Sequence, residues 1–184
     1  DKGKPEGLEG GILMIPPARS STTAFNSANI AIMKGNTAGN FTVRNCLFNN
    51  ACNYGIQVAH GEGTFAASNN VFVANRMAAL EIRGRVNKPN VVKAEIINNT
   101  VIFTWSRTIE MNDMGYAVRG MNGCDYNISG NILALSSFAG YDGGRVESPG
   151  RVKHISLDKN LFFLNKQADM TAPGAGMFQR LWVE

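Results

Sequence analysis

Three carboxylates recur at one phase of this chain. Gln57, Glu81, Glu110, Asp142 and Thr171 each stand sixteen residues after the start of a repeated segment. Apolar or small residues flank each of them, so if the flanking side chains face inward these five face outward. Strands stacked in register lie about 4.8 Å apart, which would line up Glu81, Glu110 and Asp142 as a vertical row. Like charges at that spacing disfavour joint ionisation and raise at least one pKa. Left uncompensated, such a row weakens a sheet. It therefore calls for cationic partners or for a function. A carboxylic acid with a raised pKa can donate a proton while an ionised neighbour or a histidine removes one. Arg83 and Asn112 follow two residues after Glu81 and Glu110, with His60 and Arg85 close by. Guanidinium groups grip carboxylates bidentately. The candidate catalytic set is thus Glu81, Glu110, Asp142, His60 and Arg83. Gln57, Arg85, Asn112, Arg119 and Tyr116 are the candidate substrate contacts.

The chemistry these residues suit is proton abstraction from an acidic sugar. A cation neutralises the uronate carboxylate and a base takes the C5 proton, giving cleavage by elimination or epimerisation. Two-carboxylate glycoside hydrolysis comes second. The competing explanation is plain: charged residues must face water somewhere, and solvated surface pairs carry little energy.

The elements that must position this row repeat through the chain. Phe41–Phe48 returns as 65–72, 94–101, 126–133 and 155–162, a spacing that marks a solenoid. The first and third residues of each segment are apolar or small, the alternation of a strand. The sixth reads Cys46, Asn70, Asn99, Asn131 and Asn160. Asparagines stacked in register can bond up and down as a ladder, although Asn also marks turns. Fifteen residues after each start come Ile56, Leu80, Ile109, Tyr141 and Met170, which places a second strand at a fixed offset. No stretch has the spacing and caps of a long helix.

These repeats resemble the right-handed parallel β-helix family over about residues 26–172. The resemblance implies an all-β solenoid of about five to six rungs, with residues 1–25 as an irregular capping segment and 26–184 as the β-helix domain. Proteins of this fold include pectate and alginate lyases, alginate epimerases, polygalacturonase-like hydrolases, tailspikes and adhesins. An acidic polysaccharide is therefore the expected partner and a secreted or periplasmic location the expected setting. A lyase or epimerase is favoured over a hydrolase. The alternatives are a non-catalytic polysaccharide-binding or adhesive β-helix and a structural fragment of a larger surface protein. The Asp-Pro-His signature of alginate epimerases is absent, so no active-site residue carries over from the family.

The 184 residues suffice for one domain with a substantial core. A net charge of +4 biases the chain mildly toward anions, without the basic clustering of a nucleic-acid binder. No apolar run is long enough to insert in a membrane, and Asp1 reads as a mature or trimmed terminus. Three cysteines form neither a disulfide framework nor a metal pattern. No cofactor is expected; outward acidic residues could take Ca²⁺, with no loop to specify it. The Asn-x-Ser/Thr triplets at Asn40, Asn98 and Asn127 read as by-products of the Asn-rich repeats. The connections after the second strand lengthen at Arg83–Lys93, Asn112–Asp125 and Gly144–His154 and hold much of the basic excess. Tyr116, Trp105 and Trp182 could stack on sugar rings, although packing is the commoner use of each. Ends without a capping helix expose unpaired backbone and suggest self-association through them.

Overall fold

The repeated eight-residue segment forms two strands, because its fifth residue turns left-handed. Asn45, Asn69, Asn98 and Lys159 hold φ between 54° and 56°, and Gly130 holds 67°. Asn and Gly tolerate this region, which costs most other residues about 1–2 kcal/mol. Four of the five repeats therefore bend where the sequence accepts a bend cheaply, and the fifth makes the same bend at Lys159.

The computed structural model describes residues 28–32, 40–51, 53–58, 63–83, 92–105, 115–121, 124–143, 154–166, 168–171 and 180–181. Strand β1 (Ala28–Ile32) precedes five rungs of three strands. The first rung is β2 (Phe41–Arg44), β3 (Leu47–Asn49) and β4 (Tyr54–Val58); the second is β5 (Thr64–Ser68), β6 (Val71–Val73) and β7 (Ala78–Arg83). The third is β8 (Val92–Ile97), β9 (Thr100–Ile102) and β10 (Tyr116–Met121). The fourth is β11 (Cys124–Ser129), β12 (Ile132–Ala134) and β13 (Ala139–Asp142), and the fifth β14 (His154–Asp158), β15 (Leu161–Phe163) and β16 (Ala168–Thr171). Strand β17 (Arg180–Leu181) pairs antiparallel with β16; every other pairing is parallel. Like strands of successive rungs stack into one sheet of seven strands and two of five. This is a right-handed parallel β-helix of about five rungs, and the described residues include no helix.

The core is built from columns. Phe48, Phe72, Val101, Leu133 and Phe162 lie in register and point inward. Phe48 and Phe72 stack with ring centres 4.7 Å apart. In two strands of the seven-stranded sheet, β7 and β10, the alternation of faces breaks: Ala79 and Leu80 both join the main core, as do Ala117 and Val118. The column Ile32, Val58, Ile82 ends in Gly120, where a Cβ would lie 2.8 Å from the Tyr126 ring. That ring fills the space, and its hydroxyl donates to the Ile82 carbonyl at 3.0 Å.

The asparagine ladder forms. Nδ2 of Asn70, Asn99 and Asn131 donates to Oδ1 of Asn99, Asn131 and Asn160 at 3.0, 3.0 and 2.9 Å. The same amides donate to strand carbonyls, for example Asn99 to Ala67 at 2.9 Å. Cys46 occupies the ladder's end, its backbone N–H donating to Asn70 Oδ1 at 3.0 Å.

A second ladder runs at the other corner and is interrupted. Its positions read Ala51, Asn75, Thr104, Ser136 and Asn165, ten residues after each repeat start. Asn75 accepts from the Ala51 N–H and donates to the Phe48 carbonyl; Asn165 accepts from the Ser136 N–H and donates to the Leu133 carbonyl. Between them the buried hydroxyls of Thr104 and Ser136 have no partner. A longer amide at 104 would reach the Phe72 carbonyl by the same geometry. Thr104→Asn is expected to stabilise the protein by about 1 kcal/mol, read as a raised Tm; a lower Tm would refute the geometry.

The spacing of the third rung differs from expectation. The expected second-strand residues Ile109 and Met111 are replaced by Val118 and Gly120, which pair with Leu80 and Ile82. The chain leaves the ladder after Trp105 and returns at Gly115, and both points bond Met77: Met77 N–H to the Trp105 carbonyl, Gly115 N–H to the Met77 carbonyl. Nine residues, 106–114, are thus inserted before β10 rather than after it. The stretch read as a loop from Asn112 to Asp125 contains two strands instead, β10 and the start of β11.

Candidate functional site

The outward column of the seven-stranded sheet reads Ala31, Gln57, Glu81, Arg119, Asp142 and Thr171. Arg119, expected in a loop, takes the place expected of Glu110. The row of three carboxylates is therefore a carboxylate, a guanidinium and a carboxylate. Arg119 Nε donates to Asp142 Oδ2 at 2.9 Å, and Nη1 to Glu81 Oε2 at 3.3 Å. Gln57 Nε2 donates to Glu81 Oε1 at 2.8 Å. Tyr116 comes to the same side of the strand, its ring centre 4.9 Å from the Arg119 guanidinium carbon.

Nor is this column a solvated surface. Glu81 is 0% exposed, Gln57 1% and Asp142 3%. Burial lowers the Arg119 pKa; Asp142 first, then Tyr116, Glu81 and Tyr54, outweigh it and leave the guanidinium above its ordinary range. A pKa raised on folding stabilises the fold below the ordinary guanidinium value and loses that effect only above it. Arg119 thus stays cationic at any working pH. With both carboxylates ionised the row carries one net negative charge, which disfavours a uronate beside it. Glu81 and Asp142 are locked to Arg119 rather than poised over an open cleft. Of the other expected site residues, Arg83 ends β7, while Glu110, His60, Arg85 and Asn112 lie outside the described residues. Among the described residues no three His, Cys, Asp or Glu gather to hold a metal, and no helix is long and apolar enough to cross a membrane.

An open groove lies elsewhere, at the corner between the β9 sheet and the seven-stranded sheet. It measures about 440 Å³, within the about 300–1,000 Å³ of small-molecule sites. Its walls include Phe103 and Trp105, 52% and 48% exposed, with Ser137 and Lys166 among the polar lining residues. Among the described residues no carboxylate lines it, and Arg76 lies 5.3 Å from the Trp105 ring centre. The backbone here is strained: Ala74, Phe103, Leu135 and Leu164 hold φ between 50° and 57°. Asn50 holds the same turn in the first rung, and Asn or Gly would hold it at lower cost at the others too. Strain of this kind collects at ligand sites.

Sequence reasoning weighed Trp105 as a sugar platform but passed over Phe103, Arg76 and Lys166. The available signal was the column nine residues after each repeat start, where apolar residues stand at a turn. The chain matches no family model, no curated protein and no solved structure. Its class therefore rests on its own geometry: a parallel β-helix with a buried ionic row on one sheet and, at a corner, a largely apolar, aromatic-walled groove that Lys166 borders.

Proposed function

We propose that this β-helix binds an extended acidic polysaccharide at the corner groove and acts by binding, not by catalysis. The observation that carries the reading is a groove with two half-exposed aromatic rings, Lys166 and, among the described residues, no carboxylate. Aromatic faces stack on the apolar faces of sugar rings, hydroxyls such as that of Ser137 meet sugar hydroxyls, and ammonium or guanidinium groups meet uronate carboxylates. The successive Phe103, Leu135 and Leu164 rise by one rung each along the wall, so a chain lying along the axis meets a repeating apolar surface. A lyase or epimerase would have to find its acid and base outside the Glu81–Arg119–Asp142 row.

Affinity electrophoresis on gels containing alginate, pectate or a neutral glycan tests this. Retardation is expected on the acidic glycans, weakening on the order of tenfold in Trp105→Ala. Equal retardation of wild type and variant would remove the groove from the reading. Appearance of unsaturated uronate in the same incubations would restore the lyase.

A further inference from the structure

The two five-stranded sheets present very different outer faces. On the sheet of β2, β5, β8, β11 and β14, the outward residues include Arg44, Lys93, Glu95, Asp125 and Asp158. On the sheet of β3, β6, β9, β12 and β15, the two outward columns are Leu47–Val71–Thr100–Ile132–Leu161 and Asn49–Val73–Ile102–Ala134–Phe163. None of these ten residues is charged. Leu47, Leu161 and Phe163 are 57%, 55% and 53% exposed, and Val71 and Ile132 are 39% and 40%. Val73, Thr100 and Ile102 are partly covered and Ala134 is buried at 4%, yet scattered exposed apolar residues are ordinary, and five large ones gathered on one sheet face are not.

We propose that this face is the contact through which two copies of the chain associate side by side. Two features favour a second copy over another occupant. First, charge: a chain of net charge +4 repels its copy over most approaches, yet this face brings no charge against its own image. A two-fold contact sets the same patch on both partners, so a neutral, flat face is complementary to itself. Second, size: five strands give a face roughly 24 Å tall and 10–15 Å wide, on the order of 300 Å² per copy in projection. The pair covers about 600 Å² in projection and more in accessible area, short of the roughly 1,200 Å² at the lower end of stable specific interfaces, which makes the association weak. A reversible dimer follows, with sheets about 10 Å apart as in a sandwich. It goes beyond the glycan reading and uses none of the residues lining the groove.

Thr100 supplies the control, since it already occupies the leucine column without disturbing the strand. Sedimentation velocity on the full chain, from low to hundreds of micromolar, is expected to show a monomer passing to a closed dimer. Ile132→Thr/Leu161→Thr should shift that transition at least tenfold upward in concentration while its Tm stays within a few degrees. Leu161→Lys, which puts a charge into an otherwise uncharged contact, should abolish it. A wild type that stays monomeric throughout would overturn the proposal. So would unchanged association of the folded variants, or open-ended growth, the signature of stacking through the helix ends. A wild type that remains monomeric but sediments with lipid vesicles, where the double variant does not, would assign the face to a membrane surface instead.

Discussion

Arg119→Met is expected to lower the unfolding free energy by about 3–5 kcal/mol, the usual effect of removing one partner from a buried ionic network. Methionine fills most of the volume of the arginine stem, so packing loss is small. What remains is a fully buried Glu81 beside the Gln57 amide, stripped of its guanidinium partner, and Asp142 at 3% exposure without its 2.9 Å bond. The complementary variant separates charge from packing. Replacing the row by neutral groups of similar size, Glu81→Gln/Arg119→Met/Asp142→Asn, is expected to recover most of the loss, because neutral amides cost far less to bury. Denaturant midpoints at constant m-value measure both. If Arg119→Met proved as stable as wild type, the carboxylates would have to be hydrated and the row a surface feature after all. If the triple variant were as unstable as the single one, packing rather than charge would hold the row.

The repeat and its ladder were legible because they depend on local chemistry at a fixed phase. Asn70, Asn99, Asn131 and Asn160 stand where an amide can serve the rungs on both sides, and the apolar columns share that phase. The site was less legible because register passes through every connection. Nine residues between Trp105 and Gly115 displace everything after them in that rung, so Glu110 loses the ladder position and Arg119 gains it. The apolar spacing alone admitted both alignments: Ile109 and Met111 alternate as acceptably as Val118 and Gly120. Charge could have chosen between them, since an arginine between Glu81 and Asp142 compensates the column and a third carboxylate does not. The exposure of a column is harder to read. Alternation gives the side of the sheet on which a residue lies and is silent on what covers that side, so outward was equated with solvated. The groove was missed for a third reason. Phe103 and Leu164 look like ordinary apolar residues until their positive φ shows that they occupy turn positions where Asn would be cheaper.

Asn99→Leu is the second large effect, expected at roughly 2–4 kcal/mol. Asn99 sits in the middle of the ladder and is 1% exposed. Its Oδ1 accepts both the backbone N–H and the side-chain amide of Asn70 at 3.0 Å, and its Nδ2 donates to the Ala67 carbonyl at 2.9 Å and to Asn131 Oδ1 at 3.0 Å. Leucine matches the volume and removes these four together with a longer bond from Nδ2 to the Ile97 carbonyl at 3.2 Å, leaving Asn70 N–H and the Ala67 carbonyl in a place water does not reach. Each orphaned buried group costs about 1–3 kcal/mol, partly offset by the apolar contacts leucine gains. Position decides the size of the effect. Asn160 accepts from Asn131 at one end of the ladder and donates to the Ile128 carbonyl at 2.8 Å, but it is half-buried. Water can therefore rescue part of what Asn160→Leu breaks, and that variant is expected to lose about half as much. Thermal unfolding of the two variants side by side checks both the size and the order. A ladder that merely marked turns would give two small and equal losses, because a turn asparagine serves only its own rung. A cooperative ladder gives a larger loss at its centre than at its end.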